Sequence, residues 1–396
     1  MKYITKRIRI TLLLAFSAMM ILSSCNKDVE QIAAPAPVVQ SGLALGETIA
    51  TIANDSLYYK LIVKSGLLAT INNKPTYFTM FVPDNAAMRT FINAISGGAT
   101  IGFTDAQYVA FINSANVPAA TAASIVAYNM CPQTITTSSI PGTFPNFFYP
   151  THLNPTSGPT FNPLVRLLTF PSTRNGNWVN NVPLSTVNQA AANGVIHTAT
   201  FVPAPPSKVL YQRIAADPDM TIFNAAITRA DSGVSPTTSA SLIWALSNFG
   251  PNLTVFAPTN ASFKALISAL TGGLIPIGAP DANFIAFLGS NSVTTQTVKG
   301  IVVYHMMGTR AFLNNFPTTA TSYPTLLNGA VPTHPGVSIV ATFTGGIVTG
   351  ATIKGAANAT ASVITVTPFI PEPSGTSDQQ YVNGTLHKIN QVLLPQ

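Results

Sequence analysis

The chain has 396 residues, of which only 8% are charged, and its formal net charge is +7. Four of its 19 basic residues lie within the first nine positions, so the remainder carries 15 basic residues against 12 acidic ones, a net charge of +3. Because no cluster of Lys or Arg remains there, the sequence argues against nucleic-acid binding, and so low a charged fraction suits an extracellular protein.

The first 25 residues have the pattern of an export signal. Basic positions precede an apolar run over 10–22, which is shorter than the ~20 residues of a membrane-spanning helix. The run ends in Leu-Ser-Ser-Cys25, which resembles the lipobox of bacterial lipoproteins. This resemblance predicts a signal peptide over 1–25, a membrane lipid anchor on Cys25, and an outer-membrane lipoprotein of the cell envelope. An ordinary signal peptide with a free Cys25 thiol is the alternative.

A tether is predicted over 26–42, where Ala-Pro-Ala-Pro stiffens a short spacer between lipid and the first domain. The acidic start of this segment resembles surface-export signals of lipoproteins, so we expect the protein to be exposed at the surface. Cys131 is the one other cysteine of the sequence, and we expect it to be a small buried hydrophobe.

A strand, a turn and a helix form a unit that occurs twice. In the first copy a β-rich run over 77–81 leads into Pro83 and the helix N-cap former Asp84. Apolar residues then follow at helical spacing until a glycine pair, which favours a left-handed helix end. The same unit recurs 175 residues later, with Thr259 as the N-cap former. The chain is therefore predicted to be a tandem duplication.

The repeat continues to the end of each copy. A shared Asn-Gly-x-x-His sequence begins at Asn193 and again at Asn383. Each copy is long enough to form a domain with its own core. We therefore predict one domain over 43–206 and a second over 207–396.

Three sequence boxes in each copy, occurring in the same order, resemble those of the fasciclin domain family. The first is Thr-Val-Phe-Ala-Pro-Thr-Asn-Ala-Ser-Phe in the second copy, the next is a Tyr-His pair, and the last holds the Asn-Gly-x-x-His sequence. We expect these family-motif residues to be mainly structural: Asp84, Asn85, Tyr128, Asn193, Gly194, His197, Thr259, Asn260, Tyr304, His305, Asn383, Gly384 and His387.

The resemblance implies a mainly β fold with helices, of the α+β class: two tandem wedge-shaped β-sandwich domains with flanking helices. It also implies adhesion or matrix contact rather than catalysis. Three positions depart from the family pattern. Asn129 replaces the histidine of the Tyr-His pair, and Thr200 and Asn390 stand where the last box usually has Asp. Integrin binding, which is linked to these regions in animal members, is therefore not carried over.

Long segments separate the Tyr box from the Asn-Gly box, over 130–193 and 306–383, and long loops often carry function. Aromatic residues and asparagines are frequent over 140–183, and sugar-binding sites use both. Phe147, Tyr149 and Trp178 are the candidate ligand-binding residues, although such rings more often pack against their own domain. In the second copy, Val/Ile/Thr alternation at 337–341 and 361–367 predicts an extra hairpin.

Catalytic and metal-binding patterns are missing from the sequence. It has three glutamates and five scattered histidines, and it lacks the nucleophile, zinc and phosphate-loop motifs. We therefore expect no catalytic residue, no metal and no cofactor. The sequence favours an adhesion protein that contacts an extracellular protein or polysaccharide. The alternative is a glycan-binding accessory lipoprotein of an outer-membrane nutrient-uptake system.

Overall fold

Within the described residues, three α-helices precede the first strand of each repeat, and three more follow it. The structure, a computed structural model, describes residues 41–155, 165–367 and 369–396. The predictions for the export signal, for Cys25 and for most of the tether lie outside these residues. Residues 41–396 form one compact unit.

The helices of the described residues have these bounds: α1 Leu45–Thr51, α2 Ser56–Ser65, α3 Leu68–Ile71, α4 Asn85–Ile95, α5 Asp105–Asn113, α6 Ala119–Tyr128, α7 Leu210–Ala216, α8 Thr221–Ala230, α9 Leu242–Ser247, α10 Asn260–Leu270, α11 Asp281–Gly289 and α12 Thr295–Tyr304. The predicted N-caps are confirmed. The Asp84 carboxylate accepts a hydrogen bond from Ala87 N at 2.7 Å, and the Thr259 hydroxyl accepts one from Ser262 N at 3.3 Å. Each side chain thereby satisfies a free N–H of the first helical turn.

The first domain contains eight described strands: β1 Phe78–Pro83, β2 Met130–Cys131, β3 Tyr149–Pro150, β4 Leu168–Thr169, β5 Pro171–Ser172, β6 Trp178–Val179, β7 Val182–Ala191 and β8 Gly194–Ala199. They form a mixed sheet in the order β2-β1-β8-β7-β6-β5, and β3 pairs separately with β4. β1 and β8 are parallel at its centre, whereas the flanking pairs are antiparallel.

The second domain repeats this arrangement with β9 Leu253–Pro258, β10 Met306–Met307, β11 Thr321–Tyr323, β12 Val337–Thr344, β13 Ile347–Lys354, β14 Ser362–Ile364, β15 Gln379–Tyr381 and β16 Gly384–Ile389. Its order is β10-β9-β16-β14-β13-β12-β11, with β15 paired to β16. The predicted hairpin is present, but 337–341 pairs with β13 rather than with 361–367. The latter run contributes β14 to the other side of β13.

Both faces of each central strand are buried, and each face belongs to a different core. Met80 and Val82 of β1 pack with the helices, whereas Phe81 points into a smaller core with Cys131 on the opposite face of the sheet. In β9, Val255 faces the helices and Phe256 the second core. This follows from the alternation of side chains along a strand. The prediction that Cys131 is buried is confirmed, and burial raises the pKa of its thiol.

The domains thus have the predicted α+β class, each with a curled sheet and packed helices. Within the described residues, none of the helices combines the length and the apolar character needed to cross a bilayer.

Candidate functional site

The family-motif histidines are buried and bonded to the backbone. The His197 Nε2 atom lies 2.8 Å from Ile135 O, and the Nδ1 atom of the same ring accepts a hydrogen bond from Asn188 N. His387 repeats this with Ala311 O and Asp378 N. Burial lowers the pKa of His387 to about 4, so its ring is neutral at physiological pH. These contacts are those expected of structural residues.

The Asn-Gly pair joins the last strand to two helices. The Asn193 side chain accepts from Leu45 N at 2.8 Å and donates to Ile71 O at 2.8 Å, which connects the start of α1 to the end of α3. In the second domain, Asn383 accepts from Leu210 N and donates to Leu246 O, both at 2.9 Å. The same amide therefore holds the same helix pair in both copies.

The first-box asparagines connect a third helix. Asn85 accepts from Leu57 N at 2.9 Å, and Asn260 accepts from Ile222 N at 3.1 Å. The box tyrosines hold the long segments that follow them. Tyr128 donates to Leu168 O at 3.1 Å, and Tyr304 donates to Gly336 O at 2.6 Å. These motif residues therefore form hydrogen bonds within the protein that hold helices and long segments in place.

The substitution of histidine by Asn129 has a structural partner. In the second domain, Leu393 N donates to His305 Nε2 at 2.8 Å. Pro203 occupies the position equivalent to Leu393 and has no N–H to donate. Asn129 instead donates its amide N–H to Pro203 O at 2.9 Å. The two departures from the repeat thus compensate for each other.

The first domain forms hydrogen bonds to a buried turn of the second domain. We call Phe312-Leu313-Asn314-Asn315-Phe316 the acceptor turn; all five residues are buried. Asn146 of the first domain accepts from Phe312 N at 3.1 Å, and Asn175 donates to Asn314 O and to Phe316 O, both at 3.0 Å. Ser172 donates to the Asn315 side chain at 2.9 Å. The candidate segment 140–183 therefore joins the domains.

Aromatic rings complete this junction. The Phe144 ring packs into the second core of the second domain, 4.3 Å from the ring of Tyr323 and 5.7 Å from that of Phe316. The buried Arg310 guanidinium lies 4.6 Å from the centre of the Phe170 ring. A cation over an aromatic face is stabilised by the ring quadrupole. The two domains thus share a packed interior.

The three candidate aromatics have different surroundings. Trp178 is 3% exposed, and its indole N–H donates to Asn175 O at 3.3 Å, so no ring face is open to a sugar. Phe147 and its neighbour Phe148 are 49% and 48% exposed, with their rings stacked 5.8 Å apart. Tyr149 is half-buried beside Phe147. Phe147, Phe148 and Tyr149 therefore form a surface aromatic cluster, of which Trp178 is not part.

A second candidate site is a groove between the domains, with a volume of about 540 Å³. Helix α4 forms one wall, the connection over 201–208 forms the floor, and residues 369–372 and 378–381 of the second domain form the other wall. The sequence predicts a domain boundary between 206 and 207, within the lining of this groove, but it does not predict the groove itself. Its one signal was the concentration of prolines in the segments that meet there.

Among the residues that the structure describes, no cluster of His, Cys, Asp and Glu could hold a metal ion. The buried Asp217 carboxylate forms ion pairs with Lys388 at 2.7 Å and with Arg213 at 2.8 Å. These ion pairs tie α7 to β16.

Comparison with known proteins gives one family. No curated protein sequence matches the chain. Among solved structures, the FAS1 domain pair of the insect cell adhesion molecule fasciclin I is similar to this chain. The match covers 85% of this chain and 95% of the chain in that structure, with 14% sequence identity and a TM-score of 0.34. The profile of the fasciclin domain matches twice, over residues 54–200 and 228–395. These matches account for most of the sequence, and the chain belongs to the fasciclin domain family.

Proposed function

We propose that the protein is a lipid-anchored adhesion or binding protein of the cell envelope, which contacts matrix, biofilm or neighbouring-cell components and has no catalytic activity. The observation that carries this proposal is the junction between the domains. Buried hydrogen bonds and shared aromatic packing hold two fasciclin domains in one fixed arrangement. A fixed pair presents a large preorganised surface, which lowers the entropic cost of binding a partner.

The binding partner is tested with residues 41–396, the compact unit that contains all the described cores. This protein is applied to an array of matrix proteins, polysaccharides and immobilised copies of itself. Adhesion is supported if the protein binds saturably to matrix proteins or to its own immobilised copies and does not bind to polysaccharides. Binding to polysaccharides alone contradicts adhesion to proteins and favours the second function.

The surface aromatic cluster gives weight to that second function, a glycan-binding accessory of an outer-membrane nutrient-uptake system. Phe147 and Phe148 expose rings that can cover the apolar face of a sugar. The test is the double substitution Phe147→Ala/Phe148→Ala, with Ile277→Ala, an exposed apolar residue of the second domain, as the control. Loss of polysaccharide binding in the double variant alone supports this function. Equal binding by both variants contradicts it.

Anchoring is tested separately from binding. Under this proposal, Cys25→Ser in the full chain releases the protein from membranes, because lipid attachment needs the Cys25 thiol. Cys131→Ser is the matched control, since Cys131 is buried in the first domain. Membrane fractionation measures both. Undiminished membrane association of Cys25→Ser removes the lipoprotein proposal.

A further inference from the structure

The groove between the domains is built from both copies and from the connection between them. Ala94 and Ile95 of helix α4, Ile370 and Pro371 of the second domain, and residues 201–208 all line it. Its volume of about 540 Å³ lies within the ~300–1,000 Å³ typical of small-molecule sites. Sites of this kind occur preferentially at domain interfaces.

Aromatic rings and prolines make the walls of the groove apolar. The rings of Phe201 and Phe369 stack with centroids 3.9 Å apart and an angle of 15° between their planes. Phe369 has a φ of +61°, a strained conformation that is rare for a bulky residue. Strain of this kind concentrates at binding sites, where it positions a side chain.

The charged groups of the groove are already engaged within the protein. Lys208 Nζ lies 2.6 Å from Glu372 Oε1, and the Tyr381 hydroxyl donates to the other oxygen of Glu372 at 3.3 Å. Asp378, which is buried, accepts a hydrogen bond from Leu313 N at 2.8 Å. A charged ligand would therefore compete with existing bonds, whereas an uncharged one leaves them intact.

Amide groups supply the remaining polarity. Asn180 and Gln380 line the groove and bond to each other at 3.3 Å. The Asn180 amide is 1% exposed and fully engaged: its oxygen accepts from Phe170 N and the Thr169 hydroxyl, and its nitrogen donates to Tyr128 and Gln380. Gln380 is half-buried and uses one N–H for the Tyr128 hydroxyl and one oxygen lone pair for Asn180, so its second N–H and second lone pair can bond to a hydroxyl or carbonyl group of a ligand. A few placed polar groups within an apolar lining orient a ligand and give specificity.

From the paired rings, the apolar lining and the internally matched charges, we propose that the groove binds an uncharged small molecule with a flat apolar body and one or two hydroxyl or carbonyl groups. This site is distinct from the surface aromatic cluster, since Phe147, Phe148 and Tyr149 do not line the groove. A single fasciclin domain of this chain contributes only one of its walls.

The test uses 6-propionyl-2-(dimethylamino)naphthalene, an uncharged flat probe with one carbonyl group whose fluorescence shifts to the blue in apolar surroundings. It is titrated into residues 41–396, since detergent carried by the full anchored chain would occupy an apolar groove. The expected result is saturable binding. The anionic analogue 1-anilinonaphthalene-8-sulfonate should bind more weakly.

Ala94→Trp fills the groove from the exposed face of α4 and should weaken probe binding by about tenfold or more, equivalent to about 1.4 kcal/mol. The duplication provides a matched control in Ala269→Trp, at the equivalent exposed position of α10 and outside the groove. Circular dichroism establishes that both variants fold. Equal probe affinity in the two variants, a tighter anionic probe, or no saturable binding by the unaltered protein overturns the proposal.

Discussion

Asp55 is a buried carboxyl group without a hydrogen-bond partner for either oxygen among the described residues. Burial, with a smaller contribution from the nearby Asp84 carboxylate, raises its pKa from 3.8 to about 7. The equivalent position in the second domain, at the end of the same short helical turn, is the apolar Met220. The first copy thus holds an acid where the second holds a hydrophobe.

This environment predicts a pH-dependent stability. Because the folded state has the higher pKa, it favours the protonated acid, and the associated stability is lost as the pH rises from about 4 through about 7. Asp55→Asn removes the charge and should stabilise the protein by about 1–3 kcal/mol at pH 8, but much less at pH 4. Urea denaturation at the two pH values measures this difference. An equal gain at both pH values would contradict it.

The Asn129 and Pro203 pair gives a second prediction at the scale of single residues. Asn129→His places a ring nitrogen opposite Pro203, which has no N–H, and should destabilise the first domain by about 1–3 kcal/mol. Adding Pro203→Leu restores the donor that Leu393 provides to His305. A double-mutant cycle should therefore show favourable coupling of about 1 kcal/mol. Additive effects of the two substitutions would refute the compensation.

At the scale of elements, Gly194 allows β1 and β8 to lie side by side. Its φ is +153°, and a Cβ atom there would lie 1.8 Å from Phe78 O, the carbonyl of the neighbouring strand. We expect Gly194→Ala to cost at least about 3 kcal/mol or to prevent folding, because the backbone of a central strand would have to move. Gly300→Ala in α12, where a Cβ meets no atom within 4 Å, is the control.

Because alanine favours helix more than glycine does, the control should be neutral or stabilising by up to about 1 kcal/mol. Thermal denaturation compares the two variants. Similar melting temperatures for Gly194→Ala and the unaltered protein would show that the two strands do not need this close approach.

Elements that depend on local chemistry were predictable from the sequence. The strand entering Pro83, the N-caps and the glycine-ended helices follow from residues that are adjacent in sequence. The alternation at 337–341 and 361–367 predicted an extra hairpin, which is present, but it did not show that β12 pairs with β13, because alternation marks a strand but does not identify its neighbour. Register depends on which turn closes the hairpin, here Gly345-Gly346, a signal that the alternation alone does not use.

The candidate site was harder to predict for a related reason. Trp178 and Phe147 have the same aromatic character in the sequence, but one ring is buried at the junction and the other is exposed. The junction consists of asparagines, a serine and rings from loops, which have no periodicity that would mark them as buried. Only the packing of one domain on the other distinguishes them.

At the scale of the whole molecule, the second domain is completed by the first. Phe144 packs on the rings of Phe316 and Tyr323. Phe144→Ala should therefore destabilise the second domain by about 1–3 kcal/mol, through lost contact and the cavity left behind. Phe147→Ala, three residues away and half exposed, should have little effect.

Hydrogen exchange of the acceptor turn, combined with urea denaturation, measures this prediction. Exchange of the Phe312–Phe316 amides should accelerate in Phe144→Ala and stay unchanged in Phe147→Ala. Unchanged exchange in both variants would mean that the second domain holds its acceptor turn unaided.

The acceptor turn also differs between the copies. Its equivalent in the first domain, over 136–140, is Thr-Thr-Ser-Ser-Ile, and Ser138 and Ser139 are exposed to solvent. In the second domain, the long segment over 306–383 contributes strands β11–β14 to the sheet of that same domain. Neither outer end of the pair repeats the junction. The two copies have therefore become complementary and not interchangeable: the first supplies the segment that covers a turn, and the second supplies the turn that is covered.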